Sequence, residues 1–125
     1  MNVRLLEILN ESKVLVKVGE YRFYAVWDGD KPEKNKIYTV EMDIDDVLLW
    51  GVNIVPTKEN VDLIIQKTEY IKIIAKLDYD TENDFASLKV YDSIVLVDLI
   101  GLDRKVLNEW VEINCRLVSL SDINL

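Results

Sequence analysis

The chain has 125 residues, with 15 Lys and Arg against 23 Asp and Glu, a formal net charge of −8, 50% hydrophobic residues, one Cys and no His. That length and apolar content bury a core in one domain over residues 1–125, and the composition is that of a folded chain. Without an imidazole there is no Ser-His-Asp or Cys-His nucleophilic site, and a single Cys makes neither an internal disulfide nor a Cys-rich metal centre.

The acid excess argues against binding nucleic acid through its phosphates, and favours a basic partner or simple solubility. Charges interrupt the first apolar stretch, Val3-Arg4-Leu5-Leu6-Glu7-Ile8-Leu9, so it does not read as a secretory signal. Apolar runs such as Ile94-Val95-Leu96-Val97 are too short to cross a bilayer. These features lead us to expect a cytoplasmic protein with no membrane partner.

Val occurs 16 times and Ile 13 times, against only three Ala. β-branched side chains suit a pleated surface, whereas Ala is the best helix former, so strands are expected nearly everywhere. Residues 3–9 fit a first strand or a short amphipathic helix. Val14, Val16 and Val18 then alternate with Lys13, Leu15 and Lys17, and Gly19-Glu20 has the length of a tight hairpin turn. Over residues 21–27, Tyr21, Phe23, Ala25 and Trp27 share one face, opposite Arg22, Tyr24 and Val26. Asp28 to Asn35 reads as a polar loop. Residues 36–44 alternate cleanly, with Tyr38, Val40, Met42 and Ile44 on the inner side. Residues 47–55 read as a strand broken near Gly51 and stopped before Pro56.

The second half repeats this style. Strands are expected over 61–67, 70–79, 86–90 and 93–99, and 102–109 is the best candidate for a short helix or ordered loop. In the last strand Val111, Ile113, Cys115 and Leu117 are in phase, and at Val118 and Leu120 the phase flips. A flip without a turn predicts a β-bulge or bend of the kind barrels use at corners. Eight or nine short strands with hairpin-length links favour closure, because an open sheet leaves long edges exposed. The expected fold is all-β: a small antiparallel Greek-key barrel, OB-like with additional strands and at most one short helix.

The run Ala25-Val26-Trp27-Asp28-Gly29-Asp30-Lys31-Pro32, followed by Tyr38-Thr39-Val40-Glu41, resembles a loose group of small bacterial all-β domains with an OB-like fold. Some small acidic proteins of that kind are immunity proteins in toxin systems. The resemblance covers about a third of the chain and implies no catalytic residues.

Four groups of residues are candidates for function. Continued alternation puts Glu41, Asp43 and Asp45 on one face, about 7 Å apart along the strand, with Asp46 beside them. Such carboxylates suit an acid–base pair or a metal, or form a charged outer strand face that docks a basic partner. Arg22 and Tyr24, opposite Phe23, are the surface candidates among the cationic and aromatic side chains, while Trp27 and Tyr21 are expected to fill the barrel. Asp78-Tyr79-Asp80-Thr81-Glu82-Asn83-Asp84 has the alternating acids of a Ca²⁺ loop. However, it lacks the Gly at its sixth position and has Lys89 at the twelfth, so it reads as a hairpin tip. Cys115 lies in the apolar phase and reads as a small buried hydrophobe.

The resulting expectation is a non-catalytic protein-interaction module without a cofactor. Its binding residues are Glu41, Asp43, Asp45, Asp46, Arg22 and Tyr24, and its partner is a protein, in the most concrete form a basic toxin. Pairing of exposed strand edges would allow a homodimer. The alternatives are a barrel that binds a sugar or small molecule on aromatic side chains, and a carboxylate- or metal-dependent enzyme.

Overall fold

In the computed structural model, which describes residues 1–123, period-two alternation carries most of the chain into thirteen strands, and no described residue is helical. In chain order these are β1 (Asn2–Ile8), β2 (Lys13–Val18), β3 (Tyr21–Asp28), β4 (Ile37–Ile44), β5 (Leu48–Leu49), β6 (Ile54–Pro56) and β7 (Leu63–Gln66). They continue with β8 (Ile71–Asp80), β9 (Phe85–Val90), β10 (Ser93–Val97), β11 (Leu99–Ile100), β12 (Val106–Cys115) and β13 (Val118–Asp122).

Five strands close a barrel in the order β1-β2-β3-β13-β4, with β4 returning to β1. The expected small all-β barrel with additional strands is present, and the additions are all inserted between β4 and β13. One seam departs from the antiparallel expectation: β13 runs parallel to β3, with Ser119 opposite Val26 and Leu120 opposite Trp27. The long insertion allows this, because parallel neighbours cannot be joined by a tight turn. Inside the barrel lie Val3, Leu5, Val14, Val16, Phe23, Val40, Met42, Val118 and Leu120, all buried. The buried rings of Trp27 and Tyr38 meet edge to face, 5.0 Å between centroids. The indole N–H of Trp27 donates to the Asp30 carbonyl at 2.9 Å, and the Tyr38 hydroxyl accepts from the Glu33 amide at 2.7 Å. These two rings thereby pin the Asp28-to-Asn35 loop to the barrel.

Tyr21 does not fill the barrel. It is 42% exposed, because it begins β3 at the tip of the β2–β3 hairpin, opposite Val18.

The inserted strands form a second sheet, ordered β10-β9-β8-β12-β6, with β7 also paired to β8. Its inner residues, including Ile73, Ala75, Leu77, Leu88, Val95, Val111 and Ile113, belong to the same hydrophobic cluster as the barrel interior. One continuous core therefore joins sheet and barrel. The sheet's outer face mixes polar residues such as Lys72, Lys76 and Lys89 with Trp110 and the exposed Ile94 and Leu96, and Ile74 on that face is fully buried. β5 and β11 make a short parallel pair.

Residues 102–109 do not form a helix. β12 begins at Val106, and a register shift between Val106 and Glu109 places Asn108 at φ 52°. The Asn108 amide is satisfied by the Asp78 carboxylate at 2.8 Å. The phase flip at Val118 marks a passage between sheets: β12 ends in the second sheet at Cys115, the chain turns through Arg116-Leu117, and β13 enters the barrel.

Candidate functional site

Outward-facing residues of β3, β13 and β4 share a surface because their registers align. Ser121 lies opposite both Asp28 and Glu41, and Ser119 opposite both Val26 and Asp43. Asp28, Glu41 and Asp43 are exposed, while both serines are half-buried. The small side chains of β13 thus form a low strip flanked by acids on β4 and by Asp28 on β3. Strands about 4.8 Å apart put Asp28 and Glu41 about 10 Å from each other, a span an extended basic side chain can bridge. Among the described residues, no Lys or Arg lies within ion-pair distance of these three carboxylates; the ion pairs fall at Lys72 and Arg104.

The other two acids have structural partners. Asp45 accepts from the Ser119 hydroxyl at 2.9 Å, which ties the strip to the end of β4. Asp46 accepts from the amides of Arg116 and Leu117 at 3.0 and 3.3 Å. It therefore caps the turn that carries the chain from sheet to barrel. Of the predicted acidic four, only Glu41 and Asp43 are exposed without a side-chain hydrogen bond or ion pair among the described residues.

Arg22 and Tyr24 lie away from this strip. They line an open groove of about 390 Å³ with Leu15, Tyr21, Glu20, Ile65 and Gln66. β2 pairs with one edge of β3 there, while on the other edge β13 reaches only Val26 to Asp28, and Gln66 of β7 takes its place at Tyr24, accepting from the Tyr24 amide at 3.1 Å. Lys13 sits over the Tyr24 ring, 5.2 Å from its centroid. The registers also gather cations that the sequence scatters: Arg4 pairs with Lys17 and Lys17 with Arg22, so three exposed cations cross β1, β2 and β3 in one row. Sequence spacing alone does not reveal that row; hairpin pairing around Gly19-Glu20 does. The barrel surface is therefore divided, basic across β1–β3 and acidic across the β13 strip.

The Asp78-to-Asp84 turn behaves as a turn. Asp80 accepts from the Glu82 amide at 3.0 Å and from the Asn83 side-chain amide at 2.9 Å, and Asp78 holds Asn108. No group of three or more His, Cys, Asp or Glu among the described residues is placed to hold a metal ion. Cys115 is buried, and its thiol points at the Ile71 carbonyl at 3.8 Å. Burial, reinforced by the Asp46 and Asp45 carboxylates, pushes that thiol up to about 12. A nucleophilic thiol requires the opposite shift. No described helix is long and apolar enough to cross a membrane.

No family model matches this chain, and neither the curated proteins nor the solved structures contain a significant match to it.

Proposed function

We propose that this protein is a non-catalytic interaction module that docks a basic protein segment on the acidic strip of β3, β13 and β4. The observation that carries this reading is the pair Glu41 and Asp43, exposed, outside any ion pair among the described residues, and set beside Ser121 and Ser119. Carboxylates crowded on one face repel each other, and a cationic partner relieves that repulsion and speeds encounter. Arg22 and Tyr24 belong to a different surface in this reading. An immunity protein against a basic toxin is its most concrete form. This reading takes a cytoplasmic setting, with which the single buried cysteine is compatible.

The test is amide chemical-shift mapping with a short oligolysine peptide. Expected shifts cluster at Asp28, Glu41–Asp43 and Ser119–Ser121. They disappear in Glu41→Gln/Asp43→Asn and in about 1 M salt, where the Debye length falls to about 3 Å. Shifts spread evenly over all surface carboxylates, or unchanged in the double variant, would sink the proposal.

A second reading rests on the groove beside Arg22: two tyrosines, Glu20 and Gln66 around an open volume suit a small ligand with a flat face. Under that reading, binding by a small-molecule panel moves the Tyr21 and Tyr24 resonances and leaves the strip untouched.

A further inference from the structure

The outer face of the second sheet carries a row that neither binding surface uses. Trp110 on β12 lies opposite Lys76 on β8, Lys76 opposite Lys89 on β9, and Lys89 opposite Ile94 on β10. Two lysines directly opposed across an antiparallel pair are a destabilising arrangement. Among the described residues no carboxylate lies within ion-pair distance of either. Lys76 leans over the Trp110 ring, 5.1 Å from its centroid. Trp110, Lys76 and Lys89 of this row floor a hollow of about 310 Å³, whose walls are Asn60, Val61, Asp62 and Asp92.

Those walls are tied together. The β9–β10 hairpin turns on Tyr91 and Asp92, both at positive φ (45° and 64°), the geometry of a tight two-residue turn. That turn aims the Tyr91 hydroxyl at the Asp62 carbonyl, to which it donates at 2.8 Å. The same hydroxyl lies so close to Gly19 that a Cβ there would meet it at 2.8 Å. The hollow is therefore held by contacts from the β9–β10 hairpin, the loop before β7 and the tip of the β2–β3 hairpin.

Its chemistry is segregated by position. The floor offers a half-buried indole and two ammonium groups, and the walls offer a carboxamide and two carboxylates. An indole presents an apolar face to the C–H face of a sugar ring, and opposed ammonium groups favour an anionic oxygen pair. Wall carboxylates accept from hydroxyls. We infer that this hollow is a carbohydrate site for a sugar acid, a pyranose carrying one carboxylate. The ring takes the Trp110 face that the Lys76 ammonium covers in the free protein, its carboxylate draws Lys76 aside and is held by it and Lys89, and its hydroxyls meet Asn60, Asp62 and Asp92.

The probes are trigalacturonate, neutral maltotriose and inorganic phosphate, each titrated into the whole protein. The readout is the indole N–H resonances of Trp27, Trp50 and Trp110. Trigalacturonate is expected to move the Trp110 signal saturably at millimolar concentrations and leave buried Trp27 fixed. Lys89→Gln, at an exposed position, is expected to keep a folded amide spectrum and to weaken that response about tenfold, the scale of one hydrogen bond to a charged group. Lys17→Gln on the barrel face is expected to leave it unchanged. Absence of a Trp110 shift with trigalacturonate overturns the inference. So does maltotriose binding equally well, and so does phosphate alone reproducing the shift. The readout lies in the second sheet, so its failure is distinguishable from failure of oligolysine docking on β4 and β13.

Discussion

Asp46 and Cys115 sit at the same corner of the molecule and show how a residue's neighbours decide its role. Spacing in the sequence marks Glu41, Asp43, Asp45 and Asp46 as one acidic group. It does not reveal that Asp46 is taken by the Arg116 and Leu117 amides, since those donors lie 70 and 71 positions away. Cys115 was legible, because its alternation with Val111 and Ile113 fixes it inward. Its thiol is raised from an ordinary 9.0 to about 12, first by burial and then by the Asp46 and Asp45 charges. In the range between those values the unfolded chain loses the proton while the folded chain keeps it. Its stabilising contribution is therefore complete below about pH 9 and is lost as pH climbs toward about 12, by at most about 1.4 kcal/mol per pH unit. Urea midpoints measured across that window should fall less steeply in Cys115→Ala than in the parent. Equal slopes would show that the thiol does not contribute.

Elements with clean alternation were readable. β2, β3, β4, β8 and β9 lie within a residue or two of their expected bounds, because one face of each meets the core. The segments that misled are those in which the period breaks. Residues 102–109 looked helical or irregular because the bulge at Asn108 interrupts β12. Over 47–55 the expected break near Gly51 is present as a turn between β5 and β6, but β6 runs through Pro56, opposite Val111, rather than stopping before it. Asn108 also carries the most direct test of that bulge. At φ 52° it occupies a region that Asn and Gly tolerate and a β-branched residue does not. Asn108→Val is expected to lower stability by about 1–3 kcal/mol, with Asn108→Gly nearly neutral, in denaturant titrations. Equal losses in both would remove the backbone explanation.

At the scale of the whole molecule, all-β character and closure followed from abundant Val and Ile and scarce Ala. The strand order did not, because the partners of β13, β3 and β4, lie in the first half of the chain. One core spans barrel and second sheet, so the two are expected to unfold together. With Trp27 in the barrel and Trp110 in the sheet as separate fluorescence probes, denaturation midpoints should coincide. Separated midpoints would show two independent units.

Closure of the barrel on β13 has one more consequence. Asp28 and Glu41 become neighbours only across Ser121, so the acidic strip does not exist until the last barrel strand has inserted. A nascent or partly melted chain displays the same carboxylates but not their arrangement. Recognition through this strip would then report completed folding as well as identity, and a partner would pass over immature copies.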